Sequence, residues 1–184
     1  MSAPKRSTLI KALKKLARRR FKDGAPGFSM TFTEHSDRAV AIILGTYVED
    51  KLRVRLEGEM MHLSEDESRD LFEERGPLAD FAAKVQIGYA MKIYGPRTKE
   101  ELGSIREIRN AFAHSAGIID FSTKEVSDLV GVLSFPQIAG TLLADATPRT
   151  ETGEERKTEN RPIDLFGLSC AALSNVLELK NTSL

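Results

Sequence analysis

"TFTEHSDRAVAIILGTYVEDKLRVRLE", Thr31 to Glu57, is the stretch on which the fold turns. Thr31 and Glu34 have the spacing of a capping box, in which the threonine hydroxyl takes one free backbone N–H and the glutamate reaches back for another. From Arg38 to about Glu57, Val40, Leu44, Tyr47, Val48, Leu52 and Leu56 recur at helical spacing. Around Ala39–Leu44 the pattern is apolar on nearly all sides, which predicts a long central helix buried by its neighbours.

The same signals repeat on the C-terminal side. Ser64 with Glu67 forms a second capping box ahead of a short acidic helix that Gly76-Pro77 ends. Leu78 to about Ile93 reads as the next helix, with Leu78, Phe81, Ala82, Val85, Tyr89 and Ile93 as its buried stripe and Gly95-Pro96 as its stop. Thr98 with Glu101 and Ser122 with Glu125 give two more boxes. No convincing alternating strand occurs, so the expectation is an all-α protein: a single helical domain of about six to eight helices around a long central one. Its body spans residues 28–143. Residues 144–162 are polar and charged and predict a flexible loop. A C-terminal helix, within residues 163–184, then packs on the same domain through Leu165, Leu168, Ala172, Val176 and Leu179.

Residues 1–22 stand apart. Nine of the chain's 27 basic residues lie there without a single acid, so 18 positive charges meet 27 negative ones in the remainder. A basic arm is attached to an acidic body. Leu9, Leu13 and Leu16, joined by Ile10 and Ala17, fall on one helical face, and "DGAPG" breaks the helix at 23–27. The stripe predicts a basic amphipathic helix docked on the body. Its outer cations, Lys11, Lys14, Lys15, Arg18, Arg19 and Arg20, are the candidates for nucleic-acid contact by counterion release. A targeting peptide would share this composition.

Composition narrows the chemistry. Charged residues make up 29% of 184, the net charge is zero, and no apolar run reaches the length of a membrane span. A single cysteine, Cys170, forms no internal disulfide and suits a reducing compartment, so a cytoplasmic protein is expected. His35, His62 and His114 lack metal-ligand spacing, and no glycine-rich phosphate loop occurs. Neither a metal nor another cofactor is expected.

"SIREIRNAFAHSAG", Ser104 to Gly117, holds the densest set of candidate functional residues. On an ideal helix Ile105, Ile108, Ala111 and Phe112 share one face with Arg109 at its edge, while Arg106, Asn110 and His114 line the other side, with Glu107 close to His114. Arg109 and His114 are about 140° apart and do not converge within one helix. An arginine beside the core needs a carboxylate, for which Glu34, Asp37, Glu49 and Asp50 are the candidates. His114, one turn before a candidate C′ glycine at Gly117, suits a helix end.

Glu34 with "DRA" (Asp37–Ala39), "AIILGTYVEDKL" (Ala41–Leu52), "GPLADFAAKVQIGYAM" (Gly76–Met91) and "LGSIREIRNAFAHS" (Leu102–Ser115) occur in an order that resembles the mannitol operon repressor (MtlR) family, over a little more than half of the chain. Glu34, Arg38, Arg106 and Asn110 are the remaining motif positions. The resemblance implies an all-helical fold and a repressor-like transcriptional regulator, non-enzymatic, working through an unidentified protein partner and as a homo-oligomer. The acidic body shows no helix-turn-helix with a basic recognition helix, so any DNA contact would fall to residues 5–22. A second resemblance is carried by Arg109-Asn110-x-x-x-His114. It is similar to the R-x(4–6)-H motif of the HEPN superfamily, and implies a metal-independent endoribonuclease in which Arg109 steadies a phosphate and His114 transfers a proton.

Overall fold

The structure, a computed structural model, describes residues 5–17, 36–73, 75–135 and 161–178. Among them are seven α-helices and no strand: α1 (Arg6–Ala17), α2 (Asp37–Glu59), α3 (Glu65–Phe72), α4 (Phe81–Ala90), α5 (Pro96–His114), α6 (Lys124–Gly131) and α7 (Pro162–Glu178). The all-α expectation holds. No helix is long and apolar enough to cross a membrane among these residues. Thr31, Glu34, Arg18, Arg19, Arg20, Leu179 and residues 144–160 of the polar loop lie outside the described part.

A long helix does occupy the centre, and it is α5. It touches α1, α2, α4, α6 and α7, and buries Leu102, Ile105, Ile108, Ala111 and Phe112. The longer α2 packs on α4, α5 and α7 through Ala41, Val48, Leu52 and Leu56. Its opposite face carries Ile43, Tyr47 and Val54, which are 65%, 47% and 64% exposed. The continuous apolar pattern therefore does not mark burial on every side. Phe112, Phe121 and Phe166 stack in tilted pairs with centroids 5.0 and 5.2 Å apart, joining α5 to α7 through the loop after α5.

Several helix ends differ from their sequence signals, each for a local reason. At α2 the cap is Ser36, whose Oγ accepts from the Ala39 N–H at 3.2 Å, and the Thr31–Glu34 box lies outside the described residues. Ser64 and Glu67 do form the expected capping box on α3. Before α5 the cap is Gly95, with Pro96 in the first turn, where its missing N–H costs nothing. Thr98 and Glu101 are therefore interior helical residues, both buried. Before α6 the cap is Thr123, with no side-chain cap hydrogen bond, and Asp120 holds the turn where Ser122 and Glu125 were expected to form a box. Its carboxylate accepts from Ser122 Oγ and from the Thr123 N–H, both at 2.7 Å, and these bonds hold it below the ordinary carboxylate range.

Helix α4 is shorter than predicted and Gly95-Pro96 does not end it. Lys92 adopts φ 59°, its N–H donates to Tyr89, and the Ile93 N–H donates to Gly88 at 3.0 Å. This is a Schellman turn built on a lysine instead of a glycine. It leaves Tyr89 exposed, with the Lys99 ammonium 4.2 Å from its ring centroid. On α7 the buried face is Phe166, Ser169, Cys170, Leu173, Ser174 and Leu177, one residue out of phase with the leucines expected to point inward.

Candidate functional site

Arg109 finds its carboxylate on α2. Its Nη2 donates to Glu49 Oε2 at 2.5 Å, while the other carboxylate oxygen, Oε1, accepts from Lys84 Nζ on α4 at 2.7 Å. Lys84 also donates to the Ala79 carbonyl at 2.9 Å, Arg109 Nη1 donates to Asn110 Oδ1 at 3.0 Å, and the guanidinium lies 5.7 Å from the Phe81 ring centroid. One carboxylate thus bridges two cations and ties α2, α4 and α5 at a single point. Lys84 is only 5% exposed, so Glu49 supplies the counter-charge to a cation that water barely reaches.

The backbone is shaped for this contact. Gly45 lies one turn before Glu49, and a Cβ there would fall 2.8 Å from both Cβ and Cγ of Arg109. Glycine lets α5 approach closely enough for the arginine stem to rest on α2 while its head reaches forward to Glu49. Of the four carboxylates proposed for Arg109, the structure selects Glu49. Asp37 is engaged elsewhere, its Oδ2 accepting from the Phe121 N–H at 2.7 Å.

His114 is the last residue of α5 and is exposed. Among the described residues it makes no hydrogen bond or ion pair, whereas Arg109 turns toward Glu49, so the structure does not bring the two together on one ligand. The helix does not end on a left-handed Gly117. No glycine among the described residues has positive φ, and Ser115 follows the helix in an extended conformation. The neighbouring carbonyls are held by Arg38, whose Nη2 donates to Ser115 and Gly117 at 3.1 Å each. The "DR" of α2 is a latch on the end of α5 and the loop after it.

Arg106 and Glu107 form an ion pair, and Lys14 Nζ of α1 reaches Glu107 Oε1 at 3.4 Å. Glu107 therefore faces the basic arm rather than His114. The arm docks as its leucines predict, with Leu9 and Leu13 buried against α5 and α6. Arg6 Nη2 donates to Glu101 Oε1 at 2.8 Å and to the Val132 carbonyl at 2.7 Å; Ser134 N and Oγ donate to the same Glu101 oxygen. Glu101 is fully buried. Arg6 and Lys14 are thus committed to acids of the body, while Lys11 and Lys15 point to solvent.

Lys84 was not singled out in the sequence, and Glu101 only as half of a capping box. Lys84 had a signal, a lone cation inside the apolar run "FAAKV". Glu101 had none, because a capping-box spacing explained it. Among the described residues no group of three His, Cys, Asp or Glu side chains could hold a metal ion. No family model, curated protein or solved structure matches the chain.

Proposed function

We propose that the protein is a transcriptional regulator of the mannitol operon repressor type, repressor-like and non-enzymatic, which acts through contacts with a protein partner. The observation that supports this reading best is the Glu49 bridge. Arg109 is the residue a ribonuclease would need for phosphate, and its guanidinium is neutralised by a carboxylate across a helix interface. A phosphate would have to displace Glu49 and leave Lys84 buried without its main counterion, at a cost of several kcal/mol. The family-motif residues Arg38 and Arg109 make contacts that brace helices, and Asn110 accepts a hydrogen bond from the Arg109 guanidinium beside it.

The test is genetic. Deleting the gene should raise a small, defined set of transcripts, and supplying either the wild type or His114→Ala should restore repression equally. Restoration by the wild type alone would favour the HEPN-type endoribonuclease using Arg109 and His114. Direct nucleic-acid binding is the second reading, favoured by the outward-facing Lys11 and Lys15. Removal of residues 1–22 is a poor test of it, because Arg6, Leu9 and Leu13 belong to the packed body. Lys11→Glu with Lys15→Glu is the suitable variant. It should leave repression intact in a regulator that works through protein contacts, and abolish salt-sensitive DNA binding in one that does not.

A further inference from the structure

The outer face of α2 matches itself. Ile43, Tyr47, Asp50, Val54 and Gly58 are exposed, and with the half-buried Lys51 they fall within a stripe of about 100° on the helix. Stripes of this kind on a helix that already has a packed face are where a second helix docks. The order of residues along it is the informative feature. If a second copy of α2 lies antiparallel, with the two-fold axis between residues 50 and 51, each residue meets the one whose number completes the same sum. Asp50 then meets Lys51 of the second copy, Tyr47 meets Val54, and Ile43 meets Gly58. An acid faces a base, an aromatic ring faces a branched apolar side chain, and the remaining large apolar group faces a glycine. A Cβ on that glycine would have nothing within 4 Å in the single chain.

We propose that this face is the interface of a two-fold symmetric homodimer formed by antiparallel pairing of α2. Such an interface must be self-complementary, because every contact occurs twice. Self-complementarity in shape and charge along one stripe is what distinguishes a second copy from an unrelated partner. Lys51 is poised for the contact. Its ammonium already pairs with Glu178 of α7 and lies 5.3 Å from the centroid of the Tyr47 ring, so Asp50 of the second copy would complete a four-group cluster on each side of the axis. The pairing uses none of the Glu49, Lys84 and Arg109 contacts on the opposite side of the helix. It gives the expected homo-oligomer a specific surface, and it stands or falls separately from the regulatory reading, which a monomer could also perform.

The full-length chain should sediment as a dimer at micromolar concentration. Val54→Glu places a carboxylate in the interface twice per dimer, and should raise the dissociation constant by more than about 100-fold. Its far-ultraviolet spectrum should stay as in the wild type, since Val54 is exposed in the single chain, and its melting temperature should lose the dependence on protein concentration that a dimer shows. Register is tested with cysteines. Tyr47→Cys combined with Val54→Cys should oxidise to a covalent dimer, whereas Tyr47→Cys alone should not. A monomeric wild type, a dimer indifferent to Val54→Glu, or a doubly substituted chain that does not cross-link would each overturn the proposal.

Discussion

Replacing Glu49 by alanine removes one carboxylate and leaves two cations without it. Its two hydrogen bonds are charge-assisted, each worth about 1.5–3 kcal/mol where water is excluded, and breaking a buried pair from one side costs about 3–5 kcal/mol. Two features reduce the total. The Arg109 side chain is 22% exposed and can rehydrate, and Lys84 keeps its bond to the Ala79 carbonyl. A loss of about 3 kcal/mol remains, which for a chain of this length lowers the melting temperature by about 10 °C. Arg109→Ala should cost less, about 2 kcal/mol, because Glu49 retains Lys84. In the double variant the two losses should fall short of their sum by about 1 kcal/mol, the signature of residues that act on each other. Thermal and urea unfolding of the three variants measure this directly. If Glu49→Ala unfolds within about 0.5 kcal/mol of the wild type, the three-helix bridge does not hold the fold as described.

Three further outcomes follow from particular contacts. Gly45→Ala puts a methyl group 2.8 Å from a Cβ fixed to the α5 backbone, so the helices must part, and urea unfolding should show a loss of about 1–3 kcal/mol. Lys92→Gly should do the reverse: relief of a left-handed lysine at φ 59° should add about 0.5–1 kcal/mol, read as a melting temperature a few degrees higher. Burial pushes the Cys170 thiol well above its ordinary pKa, so in the native protein a thiol reagent should label it only as fast as the fold opens, and at once in denaturant; prompt native labelling would place Cys170 at the surface.

Much of the fold was legible because periodicity and caps are local signals. The Ser64–Glu67 box and the Leu9–Leu13 stripe were read from residues within one or two helical turns, and the structure agrees with both. Phase was harder. The inner face of α7 is built around Phe166 with Ser169, Cys170 and Ser174, small residues that let helices close, and a search for leucines places that face one residue away. Spacing alone also overcounted caps, since Thr98 and Glu101 satisfy the pattern while Pro96 begins the helix before them. At the candidate site the need for a partner to Arg109 followed from the cost of burying a charge, and Glu49 was among those named. Lys84 and the Arg38 latch required knowledge of which helices meet, which no local pattern contains.

Arg109 braces the meeting of α2, α4 and α5 and His114 ends α5, and the proposed regulator requires no chemistry of either residue. The most direct test is incubation of a structured RNA with the purified wild type in EDTA, beside His114→Ala prepared identically. Intact RNA with both proteins is the predicted result. Cleavage by the wild type that His114→Ala lacks would contradict it, and would mean that Arg109 leaves Glu49 to meet a phosphate.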